Sequence, residues 1–140
     1  MTSRLVTLDT GALIAIERRK HRGVLLLDLA KHRLARLLVP VPVVVEWWRG
    51  RTDARERILD AVSIEPLSLD VARAAGEALA KVKSKSLARA SAVDAIVVSF
   101  AAKHGGVVYT GDVDDLEAIR AAHFPSVRVL GVGDDAGASQ

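Results

Sequence analysis

Residues 5–9 of the chain, LVTLD, form a short apolar run that ends in an acid. The run has the length and composition of a buried strand. The next stretch, residues 10–19, repeats apolar side chains at helical spacing, with Glu17 and Arg18 predicted to face solvent. The same succession of strand and helix recurs along the whole chain, which is typical of an α/β protein built on an open parallel sheet.

The remaining elements follow from periodicity and from turn and capping residues. Pro42 suits the first turn of a helix, where its missing N–H costs nothing, and Ser68 suits a helix N-cap. The polar, basic stretch Lys83–Ser91 is predicted to be a loop, and residues 133–140 a flexible tail. We predict strands at Leu5–Leu8, Leu38–Val41, Val107–Thr110 and Val127–Val132, a strand or connector at Ser63–Pro66, and helices at Thr10–Arg19, Val24–Leu37, Pro42–Arg49, Asp53–Val62, Ser68–Val82, Ala92–His104 and Val113–Ala122.

The composition narrows the class of protein. The 140 residues suit one domain, and half of them are hydrophobic while 4% are aromatic, so aliphatic side chains must build the core. The absence of cysteine excludes disulfides and thiolate metal sites. No apolar stretch approaches the roughly 18 residues of a membrane span, and the N-terminus lacks the pattern of a signal peptide. We therefore expect a soluble, cytoplasmic protein.

Four acids lie directly beside apolar core segments. Asp9 and Asp112 each follow a predicted strand, Glu46 follows three valines in a helix, and Asp94 lies near the start of a helix. Burying unpaired negative charges costs several kcal/mol per ion. Because the carboxyl ends of parallel strands share one edge of a sheet, the four side chains are predicted to meet there and to bind a divalent cation. Asp115 is a fifth candidate ligand.

The chemistry of such a site follows from its oxygen donors. Mg²⁺ and Mn²⁺ prefer carboxylates and water, so one or two of these ions are expected. A bound ion can position a water for attack on phosphorus and stabilise the leaving oxygen. Without the five acids the chain is strongly basic, which suits a polyanionic substrate. The alternative for Asp94 is a structural role at its helix N-terminus, and for Asp112 a role in a turn.

Other polar and aromatic residues leave two interpretations open. Basic residues cluster at 18–22 and 81–89, either as solvated turns or as a path for substrate phosphates; we expect the latter of Lys83, Lys85 and Arg89. The four histidines are predicted to be solvated and not catalytic. One of Trp47 and Trp48 is expected in the core, whereas the other is a candidate partner contact.

Four segments resemble the PIN-domain ribonucleases, specifically VapC-type toxins of type II toxin–antitoxin modules. They occur in the order found in that family and span nearly the whole chain. The segments are residues 8–13 (LDTGAL), 45–50 (VEWWRG), 92–97 (AVDAIV) and 109–116 (YTGDVDDL).

The resemblance implies one PIN-like nuclease domain over residues 1–132, with a three-layer α/β/α sandwich and a central, mainly parallel sheet. It implies a Mg²⁺- or Mn²⁺-dependent endoribonuclease that is inhibited by a cognate antitoxin, as a homodimer or a toxin–antitoxin hetero-oligomer, with DNA contacted only through the antitoxin. The apolar helix Val24–Leu29 is a candidate antitoxin surface. The family's catalytic and metal-binding acids match Asp9, Glu46, Asp94 and Asp112, its further acid matches Asp115, and its hydroxyl residues match Thr10 and Thr110, while Gly11 replaces a common Ser or Asn.

Two other functions fit some of these features. A receiver-like signalling domain also places an acid and Mg²⁺ at a strand end, but it needs an acidic pair after the first strand, where this chain has Asp9 alone. A PIN-like scaffold that binds RNA or a partner without cleaving it would carry the same fold.

Overall fold

Five parallel strands form one sheet in the computed structural model, which describes residues 4–84 and 90–132. The strands are β1 (Arg4–Leu8), β2 (Ala35–Pro40), β3 (Ser63–Glu65), β4 (Val107–Thr110) and β5 (Arg128–Gly131). The helices are α1 (Thr10–Glu17), α2 (His21–Lys31), α3 (Val41–Trp47), α4 (Asp53–Ala61), α5 (Leu69–Ser84), α6 (Ala92–Lys103) and α7 (Val113–His123). Within the described residues, no helix has both the length and the apolar character needed to cross a bilayer.

The strand order is β3-β2-β1-β4-β5, and every neighbouring pair is parallel. Helices α1 to α4 contact one another, and α5 to α7 form a second packed group, so the sheet lies between two helical layers. The predicted α/β/α sandwich with a parallel sheet is therefore confirmed. The order differs from the 2-1-3-4-5 order of receiver domains, which removes the fold basis for that alternative.

The core consists of aliphatic side chains, as the composition predicts. Leu8, Leu37, Val39 and Val108 on the central strands are almost completely buried, and the apolar faces of the helices cover them from both sides. Burial on both faces explains why these strands are continuous apolar runs and do not alternate with polar residues.

The prediction of one helix over Val24–Leu37 is wrong. Helix α2 ends at Lys31, and Ala35 already pairs with Arg4 of β1. Arg33 adopts a positive φ of 58°, and the Leu34 N–H bonds the Leu29 carbonyl at 2.9 Å. This geometry is a Schellman cap, which is usually built on glycine. An arginine in its place gives no stop signal in the sequence.

Helix α1 ends in the same way, two residues before its predicted end. Arg19 has a φ of 57°, and the Lys20 N–H bonds the Ala15 carbonyl at 2.9 Å. Helix α3 is also shorter than predicted, because Trp48 leaves the helical conformation. Pro42 lies in the first turn of α3 as predicted.

Helix α2 and strand β2 each begin three residues before their predicted starts, and the other boundaries agree within two residues. The Ser68 hydroxyl accepts from the Val71 N–H at 3.3 Å, as expected of an N-cap. Lys83 and Ser84 belong to α5 and not to a loop. The rest of the predicted loop to residue 89, and the predicted tail 133–140, lie outside the described residues.

The prediction that all four histidines are solvated is wrong for two of them. His104 stacks on Phe100 with ring centroids 4.1 Å apart, and His123 Nδ1 lies 2.7 Å from Lys81 Nζ. The His123 contact joins the end of α7 to α5, whereas the His104 stacking lies within α6 and its C-cap. None of the four histidines lines the acidic cleft described below.

Candidate metal centre

The strand order reverses between β1 and β4, and the carboxyl ends of these strands border a cleft of about 240 Å³. Such a switch point is the usual binding site of open α/β sheets. Asp9 directly follows β1, and Asp112 follows β4 after one glycine. The cleft is lined by Asp9, Thr10, Gly11, Glu46, Val93, Asp94, Gly111 and Asp112. The four principal acids predicted from the sequence therefore meet.

Asp9 is the most buried of these acids, with 7% of its surface exposed. Its Oδ1 accepts from the Ala12 N–H at 2.9 Å, which caps α1, and its Oδ2 accepts from the Thr110 hydroxyl. Burial raises the pKa of the Asp9 carboxyl from 3.8 to about 6, against the lowering effect of these hydrogen bonds; the charge of Asp94 adds to the rise. The hydrogen bonds to Asp9 therefore do not fully offset the cost of burying its negative charge, and a bound cation would stabilise that charge.

Thr110 connects the two strand ends. Its side chain is fully buried, and its hydroxyl accepts from the Asp112 N–H at 2.9 Å while donating to Asp9. The hydroxyl therefore orients one acid directly and fixes the backbone of the next.

Asp94 combines both roles considered for it. Its Oδ2 accepts from the Ser91 N–H, and the Ser91 hydroxyl accepts from the Asp94 N–H, each at 3.1 Å, so the pair forms a capping box on α6. Burial raises the pKa of the Asp94 carboxyl, and the charges of Glu46 and Asp112 raise it further. Sequence analysis missed Ser91, although the Ser-x-x-Asp spacing is a recognised capping signal.

Glu46 reaches the cleft from the exposed side of α3. Its Oε1 accepts from the Thr10 hydroxyl at 2.7 Å, so Thr10 orients this acid as Thr110 orients Asp9. The valines before Glu46 do not shelter it, because Glu46 is exposed and Val45 is 78% exposed. Trp47 is buried, and Trp48 is half-buried.

Asp115 lies one turn into α7 and does not line the cleft. Its N–H donates to Asp112 Oδ1 at 3.3 Å, so its backbone helps to hold Asp112. Lys83 is exposed near the end of α5, while Lys85 and Arg89 lie outside the described residues. The ligand role of Asp115 and the substrate role of the basic residues stay predictions.

Two glycines close the floor of the cleft. A Cβ atom at Gly11 would lie 2.6 Å from the Gly111 Cα and 2.7 Å from its nitrogen. The first turn of α1 and the turn after β4 therefore touch backbone to backbone. This contact explains why position 11 has no side chain, and it holds the segments that carry Asp9 and Asp112 together.

The donor set fits a hard divalent cation. All four acids offer oxygen, and two have raised pKa values. The charge of Asp94 raises the pKa of Asp9, and the charges of Glu46 and Asp112 raise the pKa of Asp94. In residues 4–84 and 90–132, no three acidic or histidine side chains are already close enough to hold an ion directly. Mg²⁺ retains several waters and takes few direct carboxylates, which suits wider spacing. Asp9, Glu46, Asp94 and Asp112 are the residues that would hold it.

The raised pKa of Asp9 predicts an unusual pH dependence of stability. The folded chain binds this proton more tightly than the unfolded chain, so the stabilisation is complete below about pH 3.8 and is lost as the pH rises through about 6. An Asp9→Asn variant lacks this titration. In thermal unfolding without metal, the Tm of Asp9→Asn should therefore rise relative to that of the unsubstituted protein as the pH increases from 5 to 7.

Added Mn²⁺ gives the matching measurement. Its affinity for the unsubstituted protein should fall about tenfold per pH unit below about pH 6, because the proton and the ion compete for Asp9. A Tm difference that stays constant from pH 5 to 7 would contradict the assigned environment of Asp9.

The chain belongs to the PIN domain family, whose model matches residues 6–122. Solved structures with the same fold include VapBC2 from Rickettsia felis bound to a DNA fragment from its promoter, with 17% identity, a TM-score of 0.70, and coverage of 91% of this chain and 98% of that one. A second is VapC20 from Mycobacterium tuberculosis, a sarcin–ricin-loop-cleaving toxin, with 23% identity, a TM-score of 0.60, and coverage of 88% and 98%. A third is a toxin–antitoxin complex from Klebsiella pneumoniae, with 18% identity, a TM-score of 0.58, and coverage of 92% and 98%. A search of curated proteins gives no match.

Proposed function

We propose that this protein is a divalent-metal-dependent endoribonuclease, the VapC-type toxin of a type II toxin–antitoxin system. The observation that carries the proposal is the convergence of four carboxylates, from four separate segments of a PIN domain, on one cleft at the switch point of the sheet. A structural role for each acid alone would not require them to share a cleft.

The chain's own residues provide the ion's ligands and their orientation. Asp9, Glu46, Asp94 and Asp112 hold Mg²⁺ or Mn²⁺, as one or two ions, while Thr110 and Thr10 orient Asp9 and Glu46. When bound, the ion supplies Lewis-acid stabilisation of the phosphate and activation of water. Hydrolysis of the phosphodiester would leave a 5′-phosphate and a 3′-hydroxyl.

RNA is the proposed substrate for two reasons. VapC20, which shares this fold, cleaves the sarcin–ricin loop. Outside the acidic cleft, the excess of Lys and Arg supplies attraction for a phosphate backbone, and Lys83, Lys85 and Arg89 are the residues proposed to contact it.

The test is cleavage of structured RNA by the purified protein, with both new ends mapped. Cleavage should require Mg²⁺ or Mn²⁺, stop with chelator, and give the two ends named above. RNA binding without cleavage under all metal conditions would instead support the scaffold alternative.

A groove between α1, α2 and α4 is the proposed antitoxin site. It has a volume of about 240 Å³, with an apolar wall that includes Ile16, Val24, Leu27 and Ile58 and acidic and basic side chains at its rim. Leu25, beside it on α2, is 47% exposed. Apolar pockets with a charged rim suit a partner segment that inserts aliphatic side chains. The predicted surface Val24–Leu29 forms part of this groove. The solved toxin–antitoxin complexes of this fold support an antitoxin partner.

A charge inside this groove should release the antitoxin. Val24→Asp is expected to weaken binding to the cognate antitoxin by at least about tenfold, as for a buried contact residue. RNA cleavage should be unchanged, because Val24 lies outside the acidic cleft. The matched control is Leu34→Asp, since Leu34 is exposed but does not line the groove. If both variants lost antitoxin binding equally, or if neither lost it, the antitoxin site would not lie in this groove.

The assembly and location belong to the same proposal. We propose a cytoplasmic homodimer or toxin–antitoxin hetero-oligomer that contacts DNA only through the antitoxin. The promoter DNA bound by VapBC2 is consistent with such an assembly.

A further inference from the structure

Helix α3 contacts both ends of α1 through two consecutive residues. Glu46 accepts a hydrogen bond from Thr10, the first residue of α1, at 2.7 Å. Trp47 donates its indole N–H to Glu17, the last residue of α1, at 3.0 Å. The acid that lines the cleft is thus followed directly by a residue anchored at the opposite end of the neighbouring helix.

Glu17 is itself held in place by a partly buried ion pair. Its Oε2 lies 3.0 Å from Arg55 Nη2, and the two side chains are 24% and 18% exposed. Arg55, on α4, also donates to the Gly50 carbonyl at 2.9 Å. The sequence-based expectation that Glu17 faces solvent is therefore wrong, because a cation from another helix lies beside it. A carboxylate fixed in this way is a rigid acceptor for the indole.

Helix α3 needs such an anchor. It has seven residues, which is too short to be stable alone, and the chain becomes extended at Trp48. Trp47 is 3% exposed and packs in the main core, whereas Glu46 and Val45 are exposed. Val43 and Trp47 are the buried residues of α3, and Trp47 also donates a hydrogen bond to a neighbouring helix.

We infer that Trp47 and Glu17 are positioning residues for Glu46: the indole–carboxylate hydrogen bond fixes the rotation of α3 that keeps Glu46 at Thr10 and in the cleft. This inference deepens the proposed function and rests on it for the use of Glu46 in metal binding. The geometric part concerns only Thr10 and Glu46, so it has its own readout.

The first measurement needs neither metal nor RNA. Trp47→Phe keeps an aromatic ring in the core and removes the indole N–H. The NMR signal of the Thr10 methyl group should shift in this variant in the same direction as in Glu46→Gln, because both changes disturb the Thr10–Glu46 hydrogen bond. The matched control is Trp48→Phe, the same change one position along in a ring that is not the donor to Glu17; it should leave the Thr10 signal in place.

The second measurement is Mn²⁺ affinity in a double-mutant cycle. Trp47→Phe should weaken Mn²⁺ binding about tenfold, as loss of an outer residue that orients a ligand does, and should have no further effect in the Glu46→Gln background. An unchanged Thr10 signal in Trp47→Phe, or an equal loss of Mn²⁺ affinity in both backgrounds, would overturn the inference. Should Trp47→Phe not fold, Glu17→Ala replaces it in both measurements.

The proposed function and the positioning role of Trp47 and Glu17 can be contradicted independently. If the unsubstituted protein bound no Mn²⁺ and cleaved no RNA, the proposed function would be wrong, and the Thr10 signal alone would then decide whether Trp47 positions Glu46.

Discussion

Asp94→Asn is expected to lower metal-dependent RNA cleavage at least about a hundredfold while leaving the protein folded. The substitution removes one negative charge from the cleft with little change in shape, and loss of a charged ligand or its orientation costs at least one to two orders of magnitude at metal sites. The asparagine carbonyl oxygen can still accept from the Ser91 N–H, so the capping box on α6 is retained. Because burial and neighbouring acids raise the pKa of the Asp94 carboxyl, removing its charge relieves repulsion and should not lower stability without metal.

The measurement compares cleavage rates at saturating Mn²⁺ with thermal unfolding of the same preparations. Asp60→Asn is the matched control, since Asp60 is exposed on α4 and does not line the cleft. It should cleave RNA at the normal rate. Cleavage by Asp94→Asn at an undiminished rate, or cleavage that persists in chelator, would reject the metal-dependent mechanism.

Gly11→Ala is expected to destabilise the protein by about 2 to 3 kcal/mol, a typical cost of forcing an added methyl group into a filled space. The new Cβ would lie within 2.8 Å of two backbone atoms of Gly111, and backbone at the end of a central strand cannot move away cheaply. The corresponding fall in Tm is roughly 10 °C for a chain of this size. Metal affinity should fall as well, because separating the two turns separates Asp9 from Asp112.

Gly76→Ala is the control for this effect. Gly76 lies within α5, and a Cβ there would meet nothing within 4 Å. Alanine should therefore stabilise the helix by about 0.5 to 1 kcal/mol. Opposite changes in Tm for the two substitutions are the expected result, measured by thermal unfolding without metal; similar changes in both would mean that the contact between Gly11 and Gly111 does not constrain the fold.

Local patterns were sufficient for the sheet and for the four principal acids. Apolar runs such as residues 5–8 and 107–110 each include one buried threonine but show no regular alternation with polar residues, which is typical of strands covered on both faces. An acid directly after such a run must lie at the carboxyl edge, because the strand's direction places it there. The positions of Asp9 and Asp112 therefore followed from the chain alone, and Asp94 and Glu46 were predicted from the helix starts beside the same edge.

Helix ends could not be predicted in the same way. The left-handed conformations of Arg19 and Arg33 depend on where the next element packs, which is α2 against α1 after Arg19 and β2 beside β1 after Arg33. Arginine has no intrinsic preference for this conformation, so the sequence does not indicate it. The apolar residues after Arg33 fit a helix or a strand equally well. Pairing of Ala35 with Arg4 decides between them, and this contact is long-range.

The sequence by itself determined which segments are strands and which acids end them, because hydrophobic periodicity and strand direction are local properties. Only the tertiary structure decided how those acids are held. Three sets of contacts hold them, and each joins residues at least 30 positions apart. They are the bonds of Glu17 with Arg55 and Trp47, the contact of Gly11 with Gly111, and the hydrogen bond from Thr110 to Asp9. Such contacts form only when the helices pack on the sheet, so the residues next to each side chain in the sequence do not indicate its partner.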